Sequence, residues 1–427
     1  MNGFDSRASR PRRRWASWLV FVVGLLAGVG LAVPAALAAP GALSFAECHG
    51  DATGCTPTTP SGALTGADAV VLTPDGRQLY TAAPGPGNNA VSHFTVDSSG
   101  NLTFAGCYGE AAGCTPVSPI NAMQKPWGVA VTPDGRNLYV SAQGVVDHFT
   151  IDSSGNLTDD GFNADAPVGG VNGALAVTPD GAHLYVASSQ ANSVSHFTID
   201  SSGNLAFAGC IGDNSSCTPT SPAGALDGVD SLAVTPDGTS LYVAAGKANA
   251  ASRLAIDSAG NLGFAGCIGD LGDCATTSPA GALDGASAVA MTSDGAHVYV
   301  TSDYAVSHFT VDAHANLVSA GCTGDQAGCA PVNPAKALDG IDAVAVTGDG
   351  SQLYVTSWNG DAVSHFTIGG FTTANPPRIN PNPLPCAFAC TPPTHGIIPL
   401  PRPCGFGCHP ILALPGATRI AGRTLIA

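Results

Sequence analysis

A four-residue turn recurs along this chain. Thr-Pro-Asp-Gly begins at Thr73, Thr132, Thr178 and Thr235, and the variants Thr292-Ser293-Asp294-Gly295 and Thr347-Gly348-Asp349-Gly350 continue the series. The period is roughly fifty-five residues, in the range of solenoids, propellers and other arrays, so each copy is one unit that buries its apolar face only against its neighbours.

The unit itself reads as four short strands. Around the fourth turn, Ser231 to Val234 precedes Thr235-Pro236-Asp237-Gly238 and Leu241-Tyr242-Val243 follows it. Pro at the second turn position and Gly at the last suit a type I turn. A third strand is clearest in Val194-Ser195-His196-Phe197-Thr198-Ile199-Asp200, and Ser201-Ser202-Gly203-Asn204 turns the chain into a fourth, Leu205 to Gly209. Four antiparallel strands joined by turns make one propeller blade. Only 6% of the residues are aromatic and 11% charged, a composition that favours packed strands over long charged helices. The reading is therefore all-β: a six-bladed β-propeller over residues 41–370.

The array is offset at its ends. Ala42-Leu43-Ser44-Phe45-Ala46-Glu47-Cys48 matches the fourth-strand segment Asn101-Leu102-Thr103-Phe104-Ala105-Gly106-Cys107 but precedes the first complete repeat. The last repeat runs through His365-Phe366-Thr367-Ile368 and leaves for Gly369-Gly370 without a fourth strand. The N-terminal strand is expected to complete the last blade, which removes both open sheet edges.

Five cysteine pairs share one spacing: Cys48 with Cys55, Cys107 with Cys114, Cys210 with Cys217, Cys267 with Cys274, and Cys322 with Cys329. Each follows a fourth strand, and even numbers at fixed spacing in an exported chain read as disulfides. Closing a loop of about eight residues contributes roughly 2.5 kcal/mol in the chain-entropy account. A shared metal site is disfavoured, because one pair per blade does not supply four convergent ligands.

Export is read from the N-terminus. Arg10, Arg12, Arg13 and Arg14 precede an apolar run from Trp18 to Leu37, and Ala36-Leu37-Ala38 offers a small-residue cleavage site. Residues 1–39 are thus a signal peptide or, since the run nearly matches the ~20 residues of a membrane span, an N-terminal anchor. The expected location is secreted or cell-envelope, extracytoplasmic, with membrane contact only through that segment if it is uncleaved. Without it, 10 basic residues face 30 acidic ones, which argues against nucleic acid as a partner. Residues 371–427 form a Pro-rich tail with Cys386, Cys390, Cys404 and Cys408, where two further disulfides are favoured over a zinc knuckle with His395 and His409.

Pro133 to Val140 (Pro-Asp-Gly-Arg-Asn-Leu-Tyr-Val), with a third strand ending in Asp and a Gly-Asn-Leu turn, resembles the repeat of the lactonase-type and YVTN-type bacterial β-propellers. The resemblance spans Leu43 to Ile368. It implies a propeller, seven-bladed in most lactonases where six repeats are counted here, and a group that includes hydrolases of sugar-phosphate lactones. Such a substrate needs cationic clamps, yet Arg77, Lys125, Arg136, Lys247, Arg253 and Lys336 are the ring's only basic side chains.

Histidines recur on the third strand at His93, His148, His196, His308 and His365, with Arg253 in the fourth repeat. Symmetry distributes them around the ring, so they read as hydrogen-bonded structural groups. Chemistry is sought where the copies differ. Five positions before each turn threonine, at the channel end of the first strand, stand Asp68, Trp127, Gly173, Asp230, Ser287 and Asp342. Eight positions before stand Thr65, Gln124, Gly170, Asp227, Asp284 and Asp339. These acids either cap loop turns or form an acidic funnel for a divalent cation such as calcium or for a basic ligand, with Lys125 and Trp127 marking one side. Three functions follow. The first is an extracytoplasmic binding or scaffold module for a small-molecule or protein ligand; the second, a lactonase-like hydrolase of an unphosphorylated lactone; the third, a structural envelope protein.

Overall fold

The computed structural model describes residues 47–369, apart from loop stretches at 52–54, 86–88, 119–122, 166–172, 358 and 360–361, together with 419–420 and 423–424. The expected signal segment, the strand before Glu47 and most of the tail lie outside the described residues. The protein is an all-β, six-bladed propeller. Blade one comprises Ala69–Leu72, Gln78–Ala83, Ala90–Val96 and Leu102–Gly109, paired antiparallel in sequence order, and the next four blades repeat that order. Blade six shows three strands among the described residues, Ile341–Val346, Gln352–Ser357 and Ala362–Thr367.

Local chemistry sets each turn. Thr73 Oγ1 donates to Asp75 Oδ1 at 2.6 Å while the Gly76 N–H closes on the Thr73 carbonyl at 2.8 Å. The same hydroxyl-to-carboxylate bond recurs at Thr132, Thr178, Thr235, Thr292 and Thr347. Between third and fourth strands the Asp97 carboxylate accepts the Ser99 and Asn101 N–H groups at 2.8 and 2.9 Å. Those bonds, led by the Asn101 side chain, hold its pKa below the usual carboxylate value. The repeated aspartates are thereby committed to turns, as the sequence suggests.

Blades are joined by a regular latch and by apolar clusters. Tyr80, Tyr139, Tyr185 and Tyr242 each donate their hydroxyl to a turn carbonyl of the following blade, Gly155, Gly203, Gly260 and Ala315, at 2.7 to 2.8 Å. Five clusters fill the five junctions from blade one to blade six. In each, the second residue of a third strand, such as Val91 or Val194, packs toward the inner strand of the next blade. The five predicted disulfides are all formed, and a parallel bridge follows the first cysteine of each, from His49–Thr56 to Thr323–Ala330.

The described start of the chain fits the offset read from the sequence. His49 stands edge-on to Phe94 as Tyr108 packs against Phe149 one blade later. Residues 47–49 thus meet blade one as the end of each fourth strand meets the blade after it.

Candidate functional site

The first strand of each blade runs beside the central channel, and its N-terminal end forms one mouth. Asp68 precedes Ala69–Leu72, with its N–H on the Ala82 carbonyl at 2.9 Å, and Trp127 bonds Ser141 in the same way at 2.9 Å. Asp230 and Asp342 occupy this place through β-bulges: the register skips them, between Val229 and Ser231 and between Ile341 and Ala343. A bulge re-aims one side chain, a device common beside functional sites.

These three acids share one electrostatic environment. Surrounding protein raises the pKa of Asp68, and the Asp342 charge raises it further. Burial also raises Asp230, against a hydrogen bond from Ser189 and the Lys247 charge, which lower it; Asp342 adds a smaller upward push. All three carboxylates remain open to water. Asp342 of blade six therefore acts on acids of both blade one and blade four across the mouth.

The other sequence-selected acids have other partners. Asp227 is paired with Asp213 and Asp284 with Asp270, carboxyl to carboxyl, and burial followed by that pairing raises both pKa values. Asp339 lies 3.4 Å from Asn359 Nδ2. Among the described residues no three of His, Cys, Asp and Glu converge closely enough to hold a metal ion.

Lys125 and Trp127 set blade two apart. Four repeats place glycine at the Lys125 position, Gly66, Gly228, Gly285 and Gly340, with φ between +66° and +68°. A Cβ on Gly285 would meet the Asp303 carboxylate at 2.4 Å. Lys125 adopts φ +49° with a full side chain, and its N–H is held by Asn89 Oδ1 at 3.0 Å. A left-handed lysine costs about 1 kcal/mol or more against glycine. Its ammonium stands 5.9 Å from the centre of the Trp127 ring, a cation–π contact. Trp127 is half-buried and Lys125 exposed.

The third-strand histidines have the structural roles expected of them. His93 bonds Gln78 at 2.7 Å, His148 Asn137 at 2.9 Å, and His365 Gln352 at 2.6 Å. His196 and His308 pair with His183 and His297 at 3.0 and 2.9 Å. Arg253 replaces the ring and reaches the His314 carbonyl at 2.7 Å. Burial lowers the pKa values of His93, His148, His196 and His308, His196 to about 4, so these four are neutral near pH 7.

Sequence comparison between repeats overlooks one residue that the structure brings out. The third-strand serines Ser92, Ser195, Ser252 and Ser307 face the fourth-strand cysteines Cys107, Cys210, Cys267 and Cys322 in register. In blade two that pair is Asp147 and Phe162. Asp147 is 2% exposed, its Oδ2 makes no hydrogen bond, and burial, with Asp159 adding to it, pushes its pKa to about 7. The signal was present: the one blade without a staple also lacks the serine.

No family model matches the chain, and no curated protein matches it. Solved structures do. The periplasmic gluconolactonase of Pseudomonas aeruginosa superposes with a TM-score of 0.52 at 18% identity, over 70% of this chain and 80% of that one. A Bacteroides uniformis protein provisionally described as a 6-phosphogluconolactonase gives 0.53 at 15%, over 71% and 81%. A protein of unknown function from Desulfotomaculum acetoxidans gives 0.52 at 16%, over 72% and 84%. At these identities the likeness establishes the fold: the chain is a β-propeller similar in architecture to gluconolactonase-type propellers.

Proposed function

We propose that the channel mouth hydrolyses an uncharged, unphosphorylated lactone outside the cytoplasm. The observation that carries this is the polarity of the mouth, with Lys125 and Trp127 on blade two, Asp342 on blade six, and the raised-pKa acids Asp68 and Asp230 on blades one and four. Trp127 offers an apolar face to a sugar-like ring, and the Lys125 ammonium polarises the lactone carbonyl and stabilises its oxyanion. Asp230 accepts a proton from water as the water oxygen bonds to the carbonyl carbon. Collapse breaks the ring C–O bond, and Asp230 returns the proton to the departing alkoxide. A pKa raised toward the working pH makes a better base. The hydroxy-acid product is anionic, so the acidic mouth repels it, and a phosphorylated substrate is repelled at entry. The names of two of the structural relatives, gluconolactonase and 6-phosphogluconolactonase, agree with the reaction class. The five disulfides, and the periplasmic location in the name of one relative, support export.

The test is turnover of aldonolactones and simple γ- and δ-lactones by pH-stat, with and without a chelator. Asp230→Asn is expected to lower kcat at least a hundredfold, on the scale of a lost general base, with KM little changed. The acidic limb of the wild-type rate should lie above pH 3.8, the ordinary value for Asp, because the base must be ionised. No turnover of any lactone would refute the proposal. A second reading, capture of a cationic organic ligand, is favoured by the Asp342 charge reaching both Asp68 and Asp230. Calorimetric binding of polyamines or quaternary amines in a protein inert to lactones would establish it.

A further inference from the structure

Among the described residues, five of the six blade junctions are closed by an apolar cluster, and the sixth is not. The residue that closes each junction from the third strand is Val91, Val146, Val194, Ala251 or Val306, between 0 and 6% exposed. Its counterpart in blade six, Val363, is 61% exposed. On the opposite wall Val70 and Leu72 of blade one are 63% and 51% exposed, whereas the Val70 counterparts Leu232 and Val289 are 8% and 7%, and the Leu72 counterparts Val131, Val177, Val234, Met291 and Val346 are all partly buried. Among the described residues an apolar seam therefore opens between the last blade and the first, with a wall on each.

The chain carries a segment suited to this seam. Residues 371–427 follow directly from blade six, whose third strand ends at Thr367, beside the seam. They contain no Asp or Glu and four arginines, Arg378, Arg402, Arg419 and Arg423, in a chain whose formal net charge is −16. Their end is apolar: Ile411-Leu412-Ala413-Leu414, then Ile420 and Leu425-Ile426. Arg419–Ile420 and Arg423–Thr424 pair antiparallel. The turn carboxylates of the two walls, Asp75, Asp97 and Asp349, are held ionised by their hydrogen bonds, the first of them from Thr73, Asn101 and Thr347 respectively.

We infer that residues 411–427 dock in the seam between blades six and one, their aliphatic side chains covering Val70, Leu72 and Val363 and their arginines meeting the acidic turns. The tail is then a wedge that the ring carries for its own weakest junction. Apolar area supplies the association and the opposite charges fix its direction.

Hydrogen exchange on the exported chain tests this. In the full chain the amides of 69–72 and 363–367 are expected to be protected like their counterparts at the other junctions. In a Leu425→Glu, Ile426→Glu variant, which leaves the ring untouched, they should exchange about tenfold faster while the other junctions keep their protection. A synthetic 411–427 peptide added to a chain ending at 410 should restore the slow rates. Equal exchange in both chains would overturn the inference. So would protection that rises with protein concentration together with a dimer mass in light scattering, which would assign the seam to a second copy.

Discussion

Replacing Asp147 by serine should stabilise the propeller, and by an amount that depends on pH. Ser92, Ser252, Ser307 and Ser364 each donate their hydroxyl to an alanine carbonyl in the loop ahead of their own first strand, at 2.8 to 3.2 Å. A carboxylate cannot donate that bond and a carboxylic acid can, which agrees with a pKa near 7 at Asp147. In the unfolded chain the group titrates near 3.8. Below that value both states hold the proton and the linkage term is zero. Between pH 3.8 and about 7 the unfolded state loses its proton first, so stability falls as pH rises. The full penalty above pH 7 is about 4 kcal/mol, three units at about 1.4 kcal/mol each. Asp147→Ser removes it and supplies a donor. Denaturant melts from pH 4 to 8 should show a gain that is small at pH 4, grows through pH 6 and levels off above 7. A gain independent of pH, or a loss at pH 8, would refute the reasoning.

Two further outcomes follow from the same geometry. Lys125→Gly relieves a left-handed backbone and should raise stability by about 1 kcal/mol while removing lactone turnover; loss of stability, or turnover retained, would count against Lys125 as a functional residue held in strain. Between blades five and six lies a cavity of about 330 Å³ lined by Tyr299, Val306, Leu353, Phe366 and Ile368. At the corresponding place in blades three and four, Phe207 and Phe264 of the fourth strands pack against the junction clusters. Phe45 holds the matching position in the N-terminal segment, so Phe45→Ala should cost about 3 kcal/mol if that segment completes blade six. An unchanged melting curve would remove it from that place.

The fold was legible because period-two strands, turn residues and cysteine spacing all repeat, and six copies of a weak signal make a strong one. Thr73 or Asp97 alone says little; the same residue at every turn says that the backbone requires it. The mouth was half legible. Position counting found Asp68, Trp127, Asp230 and Asp342, but it gave Asp227 and Asp284 equal standing, since their pairing with Asp213 and Asp270 crosses a loop that no period describes. The bulges at Asp230 and Asp342 were invisible for a related reason: a bulge is a property of two strands in register. The exposure at the last junction was hidden as well, because Val70 and Val363 read in sequence as ordinary core residues, like their counterparts in the other blades.

A repeat ring supplies its own controls, and that bears on where activity is sought. Blade two departs from the repeat at four linked places: lysine where glycine belongs, tryptophan where three repeats have aspartate, a buried acid where others have serine, and phenylalanine in place of the staple cysteine. The first costs backbone strain, and the third costs stability above pH 4. Stability alone would favour the residues used by the other blades. Two independent costs in one blade, the first of them at the channel mouth, fit a symmetric scaffold bent to a specific task. Reverting each position separately tests this: Lys125→Gly should abolish turnover, whereas Asp147→Ser, away from the mouth's named side chains, should stabilise the ring and shift at most the pH range over which turnover persists.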